Sequence, residues 1–175
     1  MNLRQEYIIA VVKVNNKVNT KPELKIFTIP NYTLYSKNVS QHGRGIIIYI
    51  HQSIQGVTEM KTETQFEEHI FLSIPLKSPD RLLLGCIYRS ESGSEENNDQ
   101  LVTLMKESTK LNHSHTLLIG DFNYKDIDWN YWTTPKSENS REFKFIQCVR
   151  DTYYHQHVLQ PTRSRADNVP STIDL

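Results

Sequence analysis

The residues best suited to chemistry lie at positions 120–123 (Gly-Asp-Phe-Asn), directly after an apolar run at positions 116–119. Asp121 supplies a carboxylate that can orient or deprotonate a water molecule, and Asn123 supplies an amide that can hold a phosphate oxygen or the nucleophile. Gly120 lets the backbone turn sharply before them. The same residue types are also common in an Asx turn after a strand, so the tetrapeptide alone leaves both interpretations open.

The surrounding elements decide where these side chains stand, because open α/β sheets place ligands at the carboxyl ends of their strands. Helical spacing of apolar residues predicts a helix from an N-cap at Ser94 to about Leu111, and a second helix capped near Ser137 or Asn139. The face of the second helix is predicted to carry Phe143, Ile146, Val149 and Tyr153. Apolar and β-branched runs predict strands at residues 7–12, 25–29, 45–50, 69–74, 82–88 and 116–119. This order of elements predicts a mixed-sheet α/β sandwich.

Composition sets limits on the class of protein. The chain has 175 residues, of which 37% are hydrophobic and 23% charged, which suits one folded domain and excludes disorder. Its 20 basic and 20 acidic residues balance, so any nucleic-acid contact must depend on a local basic patch. Cys86 and Cys148 lack zinc or redox spacing and are expected to be buried thiols. The longest apolar run is too short to cross a membrane, so we expect an intracellular protein, nuclear or cytoplasmic, that is not secreted.

Several segments stand in the same order as in a known family. Residues 117–123 (Leu-Leu-Ile-Gly-Asp-Phe-Asn) continue into residues 124–129 (Tyr-Lys-Asp-Ile-Asp-Trp). The other segments are residues 8–11 (Ile-Ile-Ala-Val), 30–32 with 43–46, 87–90 (Ile-Tyr-Arg-Ser), and 160–163 with 171–175. Together they resemble the endonuclease domains of non-long-terminal-repeat retrotransposons, which belong to the endonuclease/exonuclease/phosphatase superfamily. Five matches in order are far more specific than one.

The resemblance implies a single domain over residues 1–175, with two packed mixed β-sheets flanked by helices in a four-layer α/β sandwich. It also implies magnesium as cofactor and DNA as substrate. By the resemblance, Asp121 activates the attacking water and Asn123 lies beside the phosphate. Tyr88 is then the tyrosine that contacts the scissile phosphate, and Asp174 the aspartate that orients a catalytic histidine. Without the resemblance, a half-buried strand end explains Tyr88 and a solvated carboxylate explains Asp174.

Further candidates carry weaker signals. Arg89 and Arg163 are candidates for binding the DNA substrate, although a solvated charged tail explains Arg163 equally well. Two histidine pairs, at positions 113 and 115 and at 155 and 157, have strand-like spacing but no third ligand at metal-site spacing. We therefore expect them to be surface histidines. Asp126 and Asp128 are interpreted as loop and turn residues.

The chain departs from the family pattern at its magnesium site. Lys13 occupies the position, after the apolar residues 8–11, at which the family has a magnesium-binding glutamate. A cation in place of a hard oxygen ligand should greatly weaken magnesium binding, so we expect no intact metal site. The family's first strand and its terminal Asp-His segment have no counterpart in these 175 residues, so we expect a truncated copy that is incomplete at both ends.

These observations predict a retrotransposon-derived DNA endonuclease-like domain that is degenerate and weakly active or inactive. One alternative is a working nuclease whose missing parts belong to a longer protein or to a partner chain. A second is a catalytically silent module that binds phosphate or nucleic acid. A third is a phosphoester phosphatase of the same superfamily.

Overall fold

The structure is a computed structural model, and it describes residues 7–12, 27–39, 44–160, 162 and 172. The strands are β1 (Ile8–Val12), β2 (Tyr32–Val39), β3 (Arg44–His51), β4 (Thr58–Met60), β5 (His69–Pro75), β6 (Arg81–Tyr88) and β7 (His115–Asp121). The helices are α1 (Glu95–Ser108) and α2 (Arg141–Asp151). The described residues form two compact units. The first unit consists of the described residues within 1–61, 67–88 and 113–120. The second consists of the described residues within 62–66, 89–112 and 121–175.

The first unit contains two β-sheets. One has the strand order β1-β3-β2, and both of its pairings are antiparallel. The other has the order β4-β5-β6-β7, with antiparallel pairing from β4 through β6. The N–H of Arg81, at the start of β6, donates to Ser114 Oγ just before β7, and Ile87 near the end of β6 lies against Gly120. These contacts make β6 and β7 parallel, so this sheet is mixed.

The two sheets of the first unit pack on each other through one hydrophobic cluster. Successive side chains of a strand point to opposite faces, so every second residue of β3, β5 and β6 enters this cluster. Its buried members are Ile46, Ile48, Ile50, Ile70, Leu72, Ile74, Leu84, Cys86 and Tyr88. The prediction of an α/β fold with two packed sheets is therefore confirmed.

The second unit is built on the two helices, which contact each other. Ser94 caps α1 as predicted, because its side chain accepts a hydrogen bond from the N–H of Asn97. The helix ends at Ser108, three residues before the predicted end. Phe145 of α2 lies at the centre of an aromatic group with Phe122, Tyr124 and Trp129, with ring centroids 5.6, 4.2 and 6.3 Å away. These contacts make the loop after β7 part of the core of this unit.

The structure refines one prediction about α2 and contradicts another. Its N-cap is Ser140, whose Oγ accepts from the N–H of Phe143, because the N–H of Ser140 donates to Ser137 O and closes a turn before the helix. Tyr153 does not continue the buried face. It follows the end of α2 with a φ of 58°, and its side chain is 95% exposed.

Three differences concern strands. The strand predicted at 25–29 is not present at residues 27–29, and residues 25 and 26 lie outside the described residues. Strand β2 was not predicted, because polar residues interrupt its apolar pattern, and it forms by pairing along its length with β3. The three-residue β4 carries too little pattern to predict and forms by pairing with β5.

Candidate active site

The candidate site begins where β7 ends. Gly120 has a φ of 138°, and a Cβ atom built there would lie 1.9 Å from the carbonyl oxygen of Ile87. No side chain fits at that distance, so glycine is required by the close approach of two strands as well as by its φ. Asp121 is the next residue and the last of β7. Its position at a strand end is therefore fixed by the main-chain contact one residue before it.

The two polar residues of the tetrapeptide both contact the main chain of Arg89. The N–H of Arg89 donates to the carbonyl oxygen of Asp121 at 2.8 Å. The side-chain amide of Asn123 donates from Nδ2 to the carbonyl oxygen of Arg89 at 2.8 Å. Asn123 has a φ of 53°, a left-handed conformation that asparagine adopts more readily than most residues. An amide has a second N–H and an oxygen, so this bond leaves capacity for a further partner.

Arg89 is fully buried, with 0% of its surface exposed. Burial lowers the pKa of its guanidinium, and the nearby Tyr124 is the largest influence in the opposite direction. Burial also raises the pKa of the Tyr124 hydroxyl. The predicted role of Arg89 in substrate binding stays a prediction, and burial of the side chain disfavours direct contact with DNA.

Tyr88 belongs to the first unit, where its side chain lies in the hydrophobic cluster between the sheets and is 4% exposed. Its N–H donates to Glu68 O at 2.9 Å. This is a more buried setting than the half-buried strand end considered from sequence. Its predicted contact with the scissile phosphate stays a prediction.

Three predicted site residues, Lys13, Arg163 and Asp174, lie outside the described residues. Their roles, and the replacement of the metal-binding glutamate by Lys13, therefore stay predictions. Of the predicted site residues, the structure describes Tyr88 in the first unit, and Asp121, Asn123 and the buried Arg89 in the second.

The described histidines and carboxylates do not assemble a metal site. Within residues 7–12, 27–39, 44–160, 162 and 172, no group of three or more His, Cys, Asp or Glu side chains could hold an ion. His113 Nε2 lies 2.7 Å from Ser73 Oγ, and the rings of His155 and His157 are 4.9 Å apart. These donors alone do not fit a magnesium ion, and we derive no chemical step through one.

The loop that follows the site is shaped by its acidic residues. Asp128 Oδ1 accepts the N–H of Asn130 at 2.9 Å, and the main chain of Asp128 pairs with that of Thr133. Asp126 forms an ion pair with Lys136 at 3.3 Å. Asp126 and Asp128 are therefore loop and turn residues, as interpreted from the sequence.

Sequence reasoning missed one residue of this region, Asn98 on the buried face of α1. Its Oδ1 accepts from Arg89 Nε at 2.6 Å and from the Tyr124 hydroxyl at 3.1 Å. The available signal was a polar residue three positions before Leu101, on the face predicted to be buried. A buried side-chain amide requires hydrogen-bond partners, and one partner of Asn98 is Arg89 of the candidate site.

In the part of the chain that the structure describes, no helix is long and apolar enough to cross a membrane. No curated protein sequence matches the chain.

Three solved structures illustrate what this chain is similar to. The endonuclease domain of TRAS1, a telomere-specific non-LTR retrotransposon, matches with a TM-score of 0.65 and 13% identity, over 96% of this chain and 70% of that domain. An endonuclease/exonuclease/phosphatase family protein from Leptotrichia buccalis has a TM-score of 0.42 and 16% identity, over 67% of this chain and 55% of that one. Truncated TDP2 from Caenorhabditis elegans has a TM-score of 0.42 and 12% identity, over 69% and 50%. The last two similarities are too weak to support a structural argument.

A family model described as endonuclease-reverse transcriptase matches residues 82–175, which include β6, β7, both helices and the whole 120–123 tetrapeptide. The TRAS1 domain shares the fold at low identity. Because the family match covers more than half of its 175 residues, the chain belongs to the endonuclease-reverse transcriptase family of the endonuclease/exonuclease/phosphatase superfamily.

Proposed function

We propose that this chain is a retrotransposon-type endonuclease domain that binds DNA and hydrolyses its phosphodiester bonds weakly or not at all. The observation that carries the proposal is the arrangement of Asp121 and Asn123 around the main chain of Arg89, at the end of a strand, in a chain of this family. A carboxylate and an amide held at such a strand end suit attack on a phosphodiester.

Asp121 and Asn123 would divide the chemistry between them. The Asp121 carboxylate would orient the attacking water and accept its proton. The second N–H of the Asn123 amide would donate to a phosphate oxygen, on which negative charge develops as the water attacks. Both roles need fixed side chains, since displacement by about 1 Å costs a large part of the rate in such reactions.

The weak activity in this proposal rests on Lys13. In the family resemblance this position holds a magnesium-binding glutamate, and a bound metal ion supplies several kcal/mol of charge stabilisation. A loss of about 4 kcal/mol lowers the rate roughly a thousandfold, since each 1.4 kcal/mol is tenfold. Lys13→Glu would return one oxygen ligand and remove one positive charge.

The charges of the second unit support only modest affinity for DNA. Lys125 pairs with Glu91 at 3.4 Å, Lys136 with Asp126 at 3.3 Å and Lys144 with Asp99 at 2.9 Å. Each pairing offsets a positive charge that could otherwise neutralise a phosphate. The whole chain is also neutral. We therefore expect sequence-independent binding with a dissociation constant of about 1–100 μM at physiological salt.

The test measures DNA binding and nicking on the same preparations. Fluorescence anisotropy with a labelled duplex should give salt-dependent binding in the expected range. Nicking of supercoiled plasmid with magnesium should stay near background for the unmodified chain and rise detectably for Lys13→Glu. The matched control is the double variant Lys13→Glu/Asp121→Asn. Asparagine keeps the size of the Asp121 side chain and removes its charge, so nicking should return to background.

Three results would contradict this proposal. Robust nicking by the unmodified chain that Asp121→Asn abolishes would mean a fully competent nuclease. DNA binding with no response of nicking to Lys13→Glu would favour a silent binding module. Release of phosphate from p-nitrophenyl phosphate, without any DNA binding, would favour the phosphatase alternative.

A further inference from the structure

Arg89 uses its side chain to hold the same tripeptide that its main chain contacts. Its Nη1 donates to the carbonyl oxygens of Phe122 at 3.1 Å and Asn123 at 3.0 Å. Together with its main-chain bonds to Asp121 and Asn123, it makes a hydrogen bond to each of the three residues. Nη1 carries two N–H groups, one for each carbonyl oxygen, and the planar guanidinium has other nitrogens left to donate elsewhere, whereas a lysine ammonium is a single point of charge.

The guanidinium is itself held by α1 through a second set of hydrogen bonds. Its Nε donates to Asn98 Oδ1 at 2.6 Å, and Asn98 Nδ2 donates to the carbonyl oxygen of Ser94, the N-cap of α1. The chain of bonds therefore runs from the start of a helix, through one amide and one guanidinium, to residues 121–123. Every group in it except the helix cap is buried or part-buried.

An aromatic ring completes the surroundings of the guanidinium. Arg89 Cζ lies 4.0 Å from the centroid of the Tyr124 ring, and that ring stacks on Phe145 of α2 at 4.2 Å with an interplanar angle of 25°. Stacking of this kind favours arginine over lysine. The Tyr124 hydroxyl donates to Asn98 Oδ1, so it shares an acceptor with Arg89 Nε.

The arrangement is not one that stability alone explains. Within the described residues, Arg89 forms no ion pair with a carboxylate, and its buried Nη2 has no hydrogen-bond partner. A buried charge without full pairing is costly to the folded state. The tripeptide that it holds includes Asn123, whose left-handed φ of 53° must be maintained by its surroundings.

We propose that Arg89 is a positioning residue that fixes the main chain of residues 121–123, so that Asp121 and Asn123 keep the orientation needed at the phosphodiester. Its importance for catalysis rests on the proposed function, whereas its control of the loop does not. Arg89 thus acts through Asp121 and Asn123 and does not touch the DNA. This role differs from the substrate contact expected from the sequence.

The first test needs no variant. In ¹⁵N-labelled protein, the Nε–H of Arg89 should exchange with water at least about a hundredfold more slowly than an exposed arginine Nε–H. The amides of residues 122 and 123 should have order parameters near about 0.85, the value of a rigid backbone. Rapid exchange, or order parameters below about 0.6, would overturn the proposal.

The second test compares Arg89→Lys with Arg81→Lys. Arg81 is a matched control because it lies at the other end of β6 and its guanidinium also donates from two nitrogens. Its Nε donates to Ser73 Oγ at 2.8 Å, and its Nη2 donates to the carbonyl oxygens of Ser73 and Gly56. Arg89→Lys should lower the order parameters at 122 and 123 below about 0.6 and speed solvent exchange of the Asn123 amide about tenfold. Arg81→Lys should leave both unchanged. Equal effects of the two substitutions would indicate a general loss of stability and overturn the positioning role.

Asn98→Ala provides a second variant in case Arg89→Lys does not fold. It removes the acceptor of Nε and leaves the arginine in place, so the same loop signals should change with smaller amplitude. An unchanged loop in this variant would contradict the proposed chain of bonds.

Activity separates this inference from the proposed function. In the Lys13→Glu background, Arg89→Lys should lower the nicking rate at saturating plasmid about tenfold, with KM within about twofold. Absence of nicking in every variant, Lys13→Glu included, would refute the catalytic roles proposed for Asp121 and Asn123 but leave the loop measurements decisive for Arg89. Unchanged nicking together with a loosened loop would refute the catalytic importance of positioning.

Discussion

Gly120→Ala should be among the most destabilising single-methyl substitutions in this chain. The added Cβ would lie 1.9 Å from Ile87 O and 2.8 Å from Ile87 C, and both atoms belong to the main chain of β6. A flexible side chain could move aside, but this backbone is held in a sheet between β5 and β7. Relief of the clash therefore requires separation of two paired strands immediately before Asp121.

The magnitude follows from two contributions. A non-glycine residue at a φ of 138° carries strain of about 1–3 kcal/mol. The Cβ must also retreat by about 1 Å to reach 3.0 Å, the shortest distance that real Cβ atoms show, and overpacking of this kind costs about 1–3 kcal/mol. We expect a total loss of about 4 kcal/mol in the free energy of unfolding, or a Tm lower by about 8–16 °C for a chain of this length.

Gly56→Ala is the matched control in the same unit. Gly56 also has a positive φ, 73°, but the nearest atom to its added Cβ is Pro75 Cγ, a side-chain atom, at 3.1 Å. We expect this variant to lose only about 1–2 kcal/mol, the strain of a left-handed residue. Urea denaturation followed by circular dichroism measures both variants. A loss at Gly120→Ala equal to or smaller than that at Gly56→Ala would refute the reasoning from backbone collision.

Three further predictions concern stability. Phe145→Ala should cost about 3–5 kcal/mol because it empties the centre of the aromatic group, whereas Tyr153→Ala, at an exposed ring, should stay within about 0.5 kcal/mol by urea denaturation. Ser140→Ala should cost about 1 kcal/mol through loss of the α2 N-cap, measured in the same way; no change would argue against the cap. Burial raises the pKa of Cys86 to about 12 and the pKa of Cys148 to about 11. The stability that each buried thiol contributes is therefore complete below pH 9.0, the ordinary thiol pKa, and is lost as the pH rises toward 11–12. Iodoacetamide at pH 8 should therefore label both only after unfolding, and rapid labelling of the native chain would contradict their burial.

The sequence by itself predicted the elements whose residues carry a strong local pattern. The continuous apolar run of β3 and the apolar runs of β5, β6 and β7 predicted strands at nearly their observed bounds. Ser94 before a helical pattern predicted the start of α1. The ordered motifs around residues 120–123 also predicted the family, because the type and spacing of residues are properties of the chain alone.

Only the tertiary structure decided what holds these residues in place. Gly120 was expected to permit a turn, but the carbonyl of Ile87 is what excludes a side chain there. The guanidinium of Arg89 is buried against residues 33 and 34 positions away in sequence, a setting that no local pattern indicated, and its expected contact with substrate stays a prediction. Such contacts arise because β6 and β7 are neighbours in one sheet although α1 separates them in sequence. No local spacing encodes which carbonyl group a buried guanidinium will contact. Periodicity reports which side of an element is buried, whereas the partners of a buried polar group are set by the packing of elements that are distant in sequence.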